Sequence, residues 1–209
     1  MGTLEPSAVS HLMGGVPQEP EDAFLVTRAR EGDATAFDQL VRRHQQQVFA
    51  VAVRMLGDVE DAKDIAQEAF VRAYRAIGTF RGEAKFSTWM IGITMNLCRN
   101  RRRWWARQRK VVAGSIEQTL AGEEKSLIMQ VADTLPSPSE TAERSELRLQ
   151  LLGALAQVDH DSREVVVLRD IHGWSYEEIA QALGCELGTV KSRLNRARLK
   201  LRALLNGKV

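Results

Sequence analysis

Proline is missing from residues 21–135 and from 139–209; it stands only at Pro6, Pro17, Pro20, Pro136 and Pro138. A proline inside a helix costs ~3 kcal/mol or more, so the two proline-free stretches leave room for long helices. Cysteine is nearly absent. Cys98 and Cys185 lie far apart, and the four histidines, His11, His44, His160 and His172, are scattered. Neither a disulfide framework nor a zinc site is expected, and two unpaired thiols suit a reducing compartment. No apolar run approaches the ~18 residues that a membrane span needs. Residues 1–20 carry Glu5 and lack the basic, apolar and small-residue series of a secretory signal. Membrane insertion is therefore not expected. Also missing are a glycine-rich phosphate loop, metal-ligand spacing and a Ser or Cys arrangement with histidine. The sequence offers no catalytic residue, no metal site and no cofactor, so the chain does not read as an enzyme.

Net charge is small too, +2 from 29 basic and 27 acidic residues. The charges are nevertheless segregated. Asn96–Lys110 holds seven basic residues and no acid, and Leu187–Lys208 again holds seven and none. Between them, in Val111–Glu146, acids outnumber bases seven to two. Two cationic blocks flanking an anionic stretch suggest two contacts with a polyanion.

The apolar spacing in the proline-free stretches is helical, not alternating. The expected architecture is all-α: two small helical domains joined by a flexible acidic linker. Residues 1–20, rich in Gly, Pro and Ser, read as a flexible tail. Residues 21–110 form the first domain, 111–142 the linker and 143–209 the second domain. Val165–Leu168 could pass for a short buried strand. Ser162 as N-cap and Glu164 in the first turn favour helix there.

The second domain carries a helix-turn-helix pattern, Tyr176 to Asn195. Ser175 and Glu178 form a capping box opening a short helix that runs through Leu183. Gly184 then makes the turn. A longer helix starts near Leu187, with a buried stripe of Leu187, Val190, Leu194, Ala197, Leu201 and Leu204. At 100° per residue, Ser192, Asn195 and Arg196 stand opposite that stripe, flanked by Thr189 and Lys191. Arg suits guanine, Asn adenine, and Ser and Lys phosphate. Arg198, Lys200 and Arg202 would add sequence-independent attraction. Leu199 also points outward.

In the first domain, Asp58 can cap a helix running through Ile77. Its apolar side is Ala62, Ile65, Ala66, Ala69, Phe70, Ala73 and Ile77. The other side carries Asp64, Gln67, Glu68, Val71 and Arg75, and an exposed valine among polar groups hints at protein docking. After a loop at Phe80–Lys85 a further helix begins near Ser87 or Thr88. It buries Trp89, Met90, Ile93, Leu97 and Trp104. Gly92, Asn96, Arg99, Arg103 and Arg107 make one polar, basic stripe suited to tracking phosphates. Lys85, Phe86, Ser87 and Thr88, before and at its start, have the composition that can hold an unstacked base.

Three segments follow one another in the chain: DIAQEAFVRAYRAIGTFRG (Asp64–Gly82), FSTWMIGITMNLCRNRRR (Phe86–Arg103) and WSYEEIAQALGCELGTVKSRLNRARLKLR (Trp174–Arg202). Together they resemble the sigma-70 family, in its extracytoplasmic-function (ECF) branch. The resemblance implies a factor that binds core RNA polymerase, recognises promoter DNA at its −10 and −35 elements and promotes melting. Asp61, Asp64, Gln67, Glu68, Val71, Arg72 and Arg75 would grip the polymerase. Lys85, Phe86, Ser87 and Thr88, with Asn96, would capture a flipped −10 base, while Arg99, Asn100 and Arg103 sit on that element's strands. Lys191, Ser192, Asn195 and Arg196 would read the −35 element, with Thr189 and Lys200 on its backbone. The acidic linker would thread toward the RNA exit path. The resemblance further implies an anti-sigma partner, a role in stress response and a cytoplasmic location. Glu186 departs from the pattern, standing where the family offers Ser or Pro before the recognition helix.

Two other readings compete. A stand-alone regulator would use the same helix-turn-helix, but it would need a sensing or dimerisation domain, for which the stripe at Asn96–Arg107 has no use. An enzyme would need one of the missing motifs.

Overall fold

The structure, a computed structural model, describes residues 21–82, 84–112 and 142–205. The tail at 1–20 and nearly all of the acidic linker lie outside the described residues. Those described fall into two compact units, one within residues 18–127 and one within 128–209. The first holds α1 (Glu21–Arg30), α2 (Ala34–Leu56), α3 (Val59–Ala76), a 3-10 turn (Ile77–Thr79) and α4 (Phe86–Val112). The second holds α5 (Ala142–Ala156), α6 (His160–Val166), a wider π-type turn (Val167–Ile171), α7 (Tyr176–Leu183) and α8 (Leu187–Leu205). No strand occurs among the described residues. The expectation of an all-α protein is met.

Local chemistry sets the boundaries of the first unit. Asp33 caps α2 by accepting from the backbone N–H groups of Thr35, at 2.9 Å, and Ala36, at 3.2 Å. Gly57 ends the helix at φ +75°, a left-handed conformation open to glycine. Asp58 follows at once and caps α3, accepting from Asp61 N at 2.7 Å. One glycine and one aspartate thus reverse the chain, and α2 packs against α3. Leu40, Val48, Val51 and Met55 of α2 meet the narrow side of α3, where Ala62, Ile65, Ala69 and Ala73 are buried. The alanines let the backbones approach. Met90, Ile91, Met95 and Cys98 of α4 close the bundle, and Leu25, Val26 and Ala29 of α1 cover α2.

The second unit is built on α8, which packs against α5, α6 and α7. Val165–Leu168 is helical, as the flanking pattern predicts, and every one of these residues is buried. The cap, however, is Asp159 and not Ser162. Ser162 is itself buried and donates its backbone N–H to Asp159 at 3.0 Å. The helix therefore starts three residues earlier than its apolar run suggests. Arg163 donates to Ala156 O and Val158 O, satisfying carbonyls at the end of α5 and in the turn beyond it. The capping box before α7 is complete. Glu178 N donates to Ser175 Oγ at 3.1 Å, and Ser175 N donates to the Glu178 carboxylate at 2.7 Å. Arg169 braces this corner by donating to Trp174 O at 2.6 Å and lying over the Tyr176 ring at 4.7 Å. Gly184, at φ +61°, makes the turn into α8.

Replacing Ser175 by Ala removes the acceptor for Glu178 N. Thermal unfolding of the full chain should show the second unit destabilised by about 1 kcal/mol. An unchanged transition would mean that the box does not hold the corner.

Candidate nucleic-acid interface

Three surfaces emerge from these helices. On α4 the inner side is Phe86, Met90, Ile91, Thr94, Met95, Leu97 and Cys98, all buried. That fixes the helix phase. Asn96, Asn100, Arg103 and Arg107 are exposed on the opposite side, with Gly92 and Arg99 half-buried beside them. The expected stripe is present. Trp89 and Ile93 are half-buried, and one expectation fails outright. Trp104, placed inward by periodicity, is 49% exposed. Past Cys98 none of the described side chains of α4 is fully buried. The helix has left its core, so periodicity no longer has a surface to face.

The loop before α4 divides into presenting and supporting groups. Lys85 is exposed, and Ser87 and Thr88 are half-buried. Phe86 is only 4% exposed. Its ring packs 5.8 Å from Trp89, 6.1 Å from Phe80 and 5.2 Å from His44. Phe86 thus anchors the N-terminus of α4, and Lys85, Ser87 and Thr88 are what it presents.

On α3, Asp64, Gln67, Val71, Arg72 and Arg75 are exposed together, Val71 at 43%. Glu68 is half-buried and held by Arg72 at 2.5 Å. Asp61 differs from the rest. It turns toward α4 and pairs with Arg101, which also reaches Asp64 at 3.9 Å. Burial pushes the Asp61 carboxyl above its ordinary value, opposed by the Arg101 charge and reinforced by Asp58 and Asp64. Spacing along α3 could not reveal a partner 40 residues away.

On α8, Lys191, Ser192, Asn195, Arg196 and Lys200 are exposed and Thr189 is half-buried. Ser192 Oγ donates to Thr189 O at 3.0 Å, which leaves its oxygen facing outward as an acceptor. Val190, Leu194 and Ala197 are buried, while Leu187, Leu201 and Leu204 are half-buried. Two cations of the basic block are spent within the unit. Arg193 pairs with Asp161 at 2.7 Å, and Arg198 holds Asp170 through two nitrogens at 2.5 and 3.0 Å. The hydrogen bond to Asp170 raises the Arg198 pKa. Asp161 and Asp170 have no motif around them and were not legible as partners. Asp159 is desolvated, which raises its pKa, yet hydrogen bonding to Ser162 and the charges of Arg196 and Arg193 bring it below the ordinary carboxylate value.

The family described as Sigma-70 region 2 matches residues 40–109, and that described as Sigma-70, region 4 matches residues 148–201. RNA polymerase sigma-H factor of Pseudomonas aeruginosa is 36% identical over 180 residues, spanning 86% of this chain and 91% of that protein. ECF RNA polymerase sigma-E factor of Escherichia coli is 34% identical over 177 residues, spanning 85% and 90%. The chain belongs to the ECF branch of the sigma-70 family. CnrH, solved in complex with the cytosolic domain of CnrY, is 31% identical with a TM-score of 0.58, covering 90% of this chain and 99% of that one. The sigma factor RpoE of Bartonella quintana, solved with the anti-sigma factor NepR, shares the fold at a TM-score of 0.63 and 24% identity, over 83% and 98%. In this sigma factor the region 2 match contains α3 and the stripe of α4 as far as Arg107. The region 4 match contains α6, α7 and α8 through Leu201.

Two measurements check the electrostatics. Replacing Arg101 by Gln removes the charge that lowers Asp61, so its pKa should rise further in an NMR titration; a fall would contradict the pairing. For Asp159 the folded value is depressed. Its stabilisation is therefore complete above the unfolded value of 3.8 and is lost as pH falls through the lower folded value. Asp159→Asn, which keeps the cap oxygen but not the charge, should lose less thermal stability than the parent between about pH 5 and pH 3.

Proposed function

We propose that this ECF sigma factor acts as the specificity subunit of RNA polymerase through the three surfaces just described. Residues 21–110 serve as the core-binding and −10-reading domain, and residues 143–209 as the −35-reading domain. Asp64, Gln67, Glu68, Val71, Arg72 and Arg75 form the polymerase-docking face, with Asp61 at its edge, tied to Arg101. Lys85, Ser87, Thr88 and Asn96 hold a flipped base of the −10 element, with Phe86 as their anchor. Arg99, Asn100 and Arg103 lie along its strands. Lys191, Ser192, Asn195 and Arg196 enter the major groove at the −35 element, while Thr189 and Lys200 meet its backbone. The observation that carries this reading is the pair of basic helix faces, one in each unit, on helices whose inner sides are locked in a core. Catalysis belongs to the polymerase, and the chain itself supplies recognition.

CnrH and RpoE were each solved with a partner, the cytosolic domain of CnrY and the anti-sigma factor NepR. Kinship with CnrH supports an anti-sigma partner for this chain and action in the cytoplasm. No described helix is long and apolar enough to cross a membrane.

Purified chain with core polymerase should start transcription at a two-element promoter, while the chain alone binds duplex DNA weakly. Tight sequence-specific binding without core, and no transcription with it, would sink the reading in favour of a stand-alone regulator. Arg196→Ala and Lys200→Ala separate base from phosphate. The first should cost about 1–3 kcal/mol on the preferred −35 sequence and relax discrimination there. The second should weaken all −35 sequences alike and lower the salt slope by about one. Equal losses for Arg196→Ala on every −35 sequence would reassign it to the backbone.

A further inference from the structure

Asp22 and His44 belong to none of the three surfaces, yet they stand behind one of them. Phe86 opens α4 and has ring contacts with Phe80, Trp89 and His44. Phe80 opens the loop before α4, and Trp89 lies three residues along the helix itself. Both belong to the same stretch of chain as Phe86. His44 belongs to α2, and its ring, 5.2 Å from that of Phe86, ties the start of α4 to another helix. His44 is held in turn. Its side chain is only 12% exposed, and its Nε2 lies 2.7 Å from a carboxylate oxygen of Asp22 on α1. A carboxylate only accepts, so Nε2 carries the hydrogen and donates. Nδ1 faces Gln47 Oε1 at 3.5 Å, a contact too long to fix the ring. Arg43 donates to the other oxygen of the same carboxylate at 3.3 Å. Two neighbouring side chains of α2 thus hold the Asp22 carboxylate in one orientation.

The contacts run from Asp22 to His44 to Phe86, and Phe86 stands between Lys85 and Ser87. Hydrogen bonds to a carboxylate are short and strong, so the Asp22 contact sets the plane of the imidazole. The groups that support a binding side chain decide whether it is held closely enough to discriminate. We propose that Asp22 and His44 are positioning residues for the base captured at Lys85, Ser87, Thr88 and Asn96: Asp22 sets the His44 ring, His44 sets Phe86, and Phe86 sets the groups beside it. Neither of the two touches DNA. The proposal rests on the base-capture reading of those four residues. It adds to that reading a dependence of base selectivity on α1.

The test uses polymerase holoenzyme reconstituted with the full chain. Binding is measured to the preferred promoter and to the same promoter with the captured −10 base replaced by each of the other three. Asp22→Ala should lower the preference for the captured base about five- to tenfold and leave preferences at the −35 element within about twofold. Asp22→Asn, which keeps the shape and an acceptor oxygen for Nε2, should show a smaller loss of the same kind. His44→Leu should match Asp22→Ala, and the double variant should lose no more than either alone, because both act along one path. A merely structural role would weaken every −10 sequence alike and leave the preference intact. That uniform weakening, additive losses in the double variant, or no loss at all would each overturn the proposal. Asn96→Ala separates it from the reading beneath. If Asn96→Ala lowers the base preference while Asp22→Ala and His44→Leu do not, the positioning role alone falls. If none of the three lowers it, the base-capture reading falls as well.

Discussion

The inner side of α4, from Phe86 to Cys98, is packed against α2 and α3, and that packing sets the phase of everything the helix presents. A helix turned by one residue would rotate its outer stripe by about 100° and swing Asn96, Asn100 and Arg103 together away from the side they now present. The anchor is apolar and aromatic: Phe86 among Phe80, Trp89 and His44, then Met90, Ile91, Met95 and Cys98. Such burial has little directionality, but close packing makes it specific. The exposed polar groups of α4 are in this way held in place by residues on its buried side.

The same division of labour recurs on α8 by different means. Val190, Leu194 and Ala197 bury its inner side, and two cations that could have faced DNA are turned back on the unit. Arg193 and Arg198, in the middle of the helix, hold Asp161 and Asp170. Ion pairs this exposed contribute little stability individually. Their effect is on position, since they fasten α8 to α6 and the turn after it. They also engage two charges of the basic block, while Lys191, Arg196, Lys200 and Arg202 stand exposed beside them. The pairing of Asp61 with Arg101 joins α3 to α4 through one bridge, at the cost of holding a desolvated carboxylate.

Much of this was legible before any fold was known, because the signals are local. Proline-free stretches, apolar positions at steps of three and four, Asp58 as a cap, the Ser175–Glu178 box and Gly184 as the turn all act within a few residues of themselves. So do the two basic blocks. Such features establish an all-α chain, a helix-turn-helix and two cationic helices without reference to anything distant.

Only tertiary structure decided which members of those blocks are available. Arg101 meets Asp61 across 40 residues, Arg193 meets Asp161 across 32 and Arg198 meets Asp170 across 28. No local pattern encodes such pairs. Phe86 sits inside because Phe80 and His44 converge on it, and Trp104 lies outside because the bundle ends before α4 does. Periodicity states which side a residue would bury; whether a core exists on that side is a property of the other helices. The sequence by itself therefore determined the helices and their two faces, and tertiary packing decided where each face stops and which of its charges are already taken.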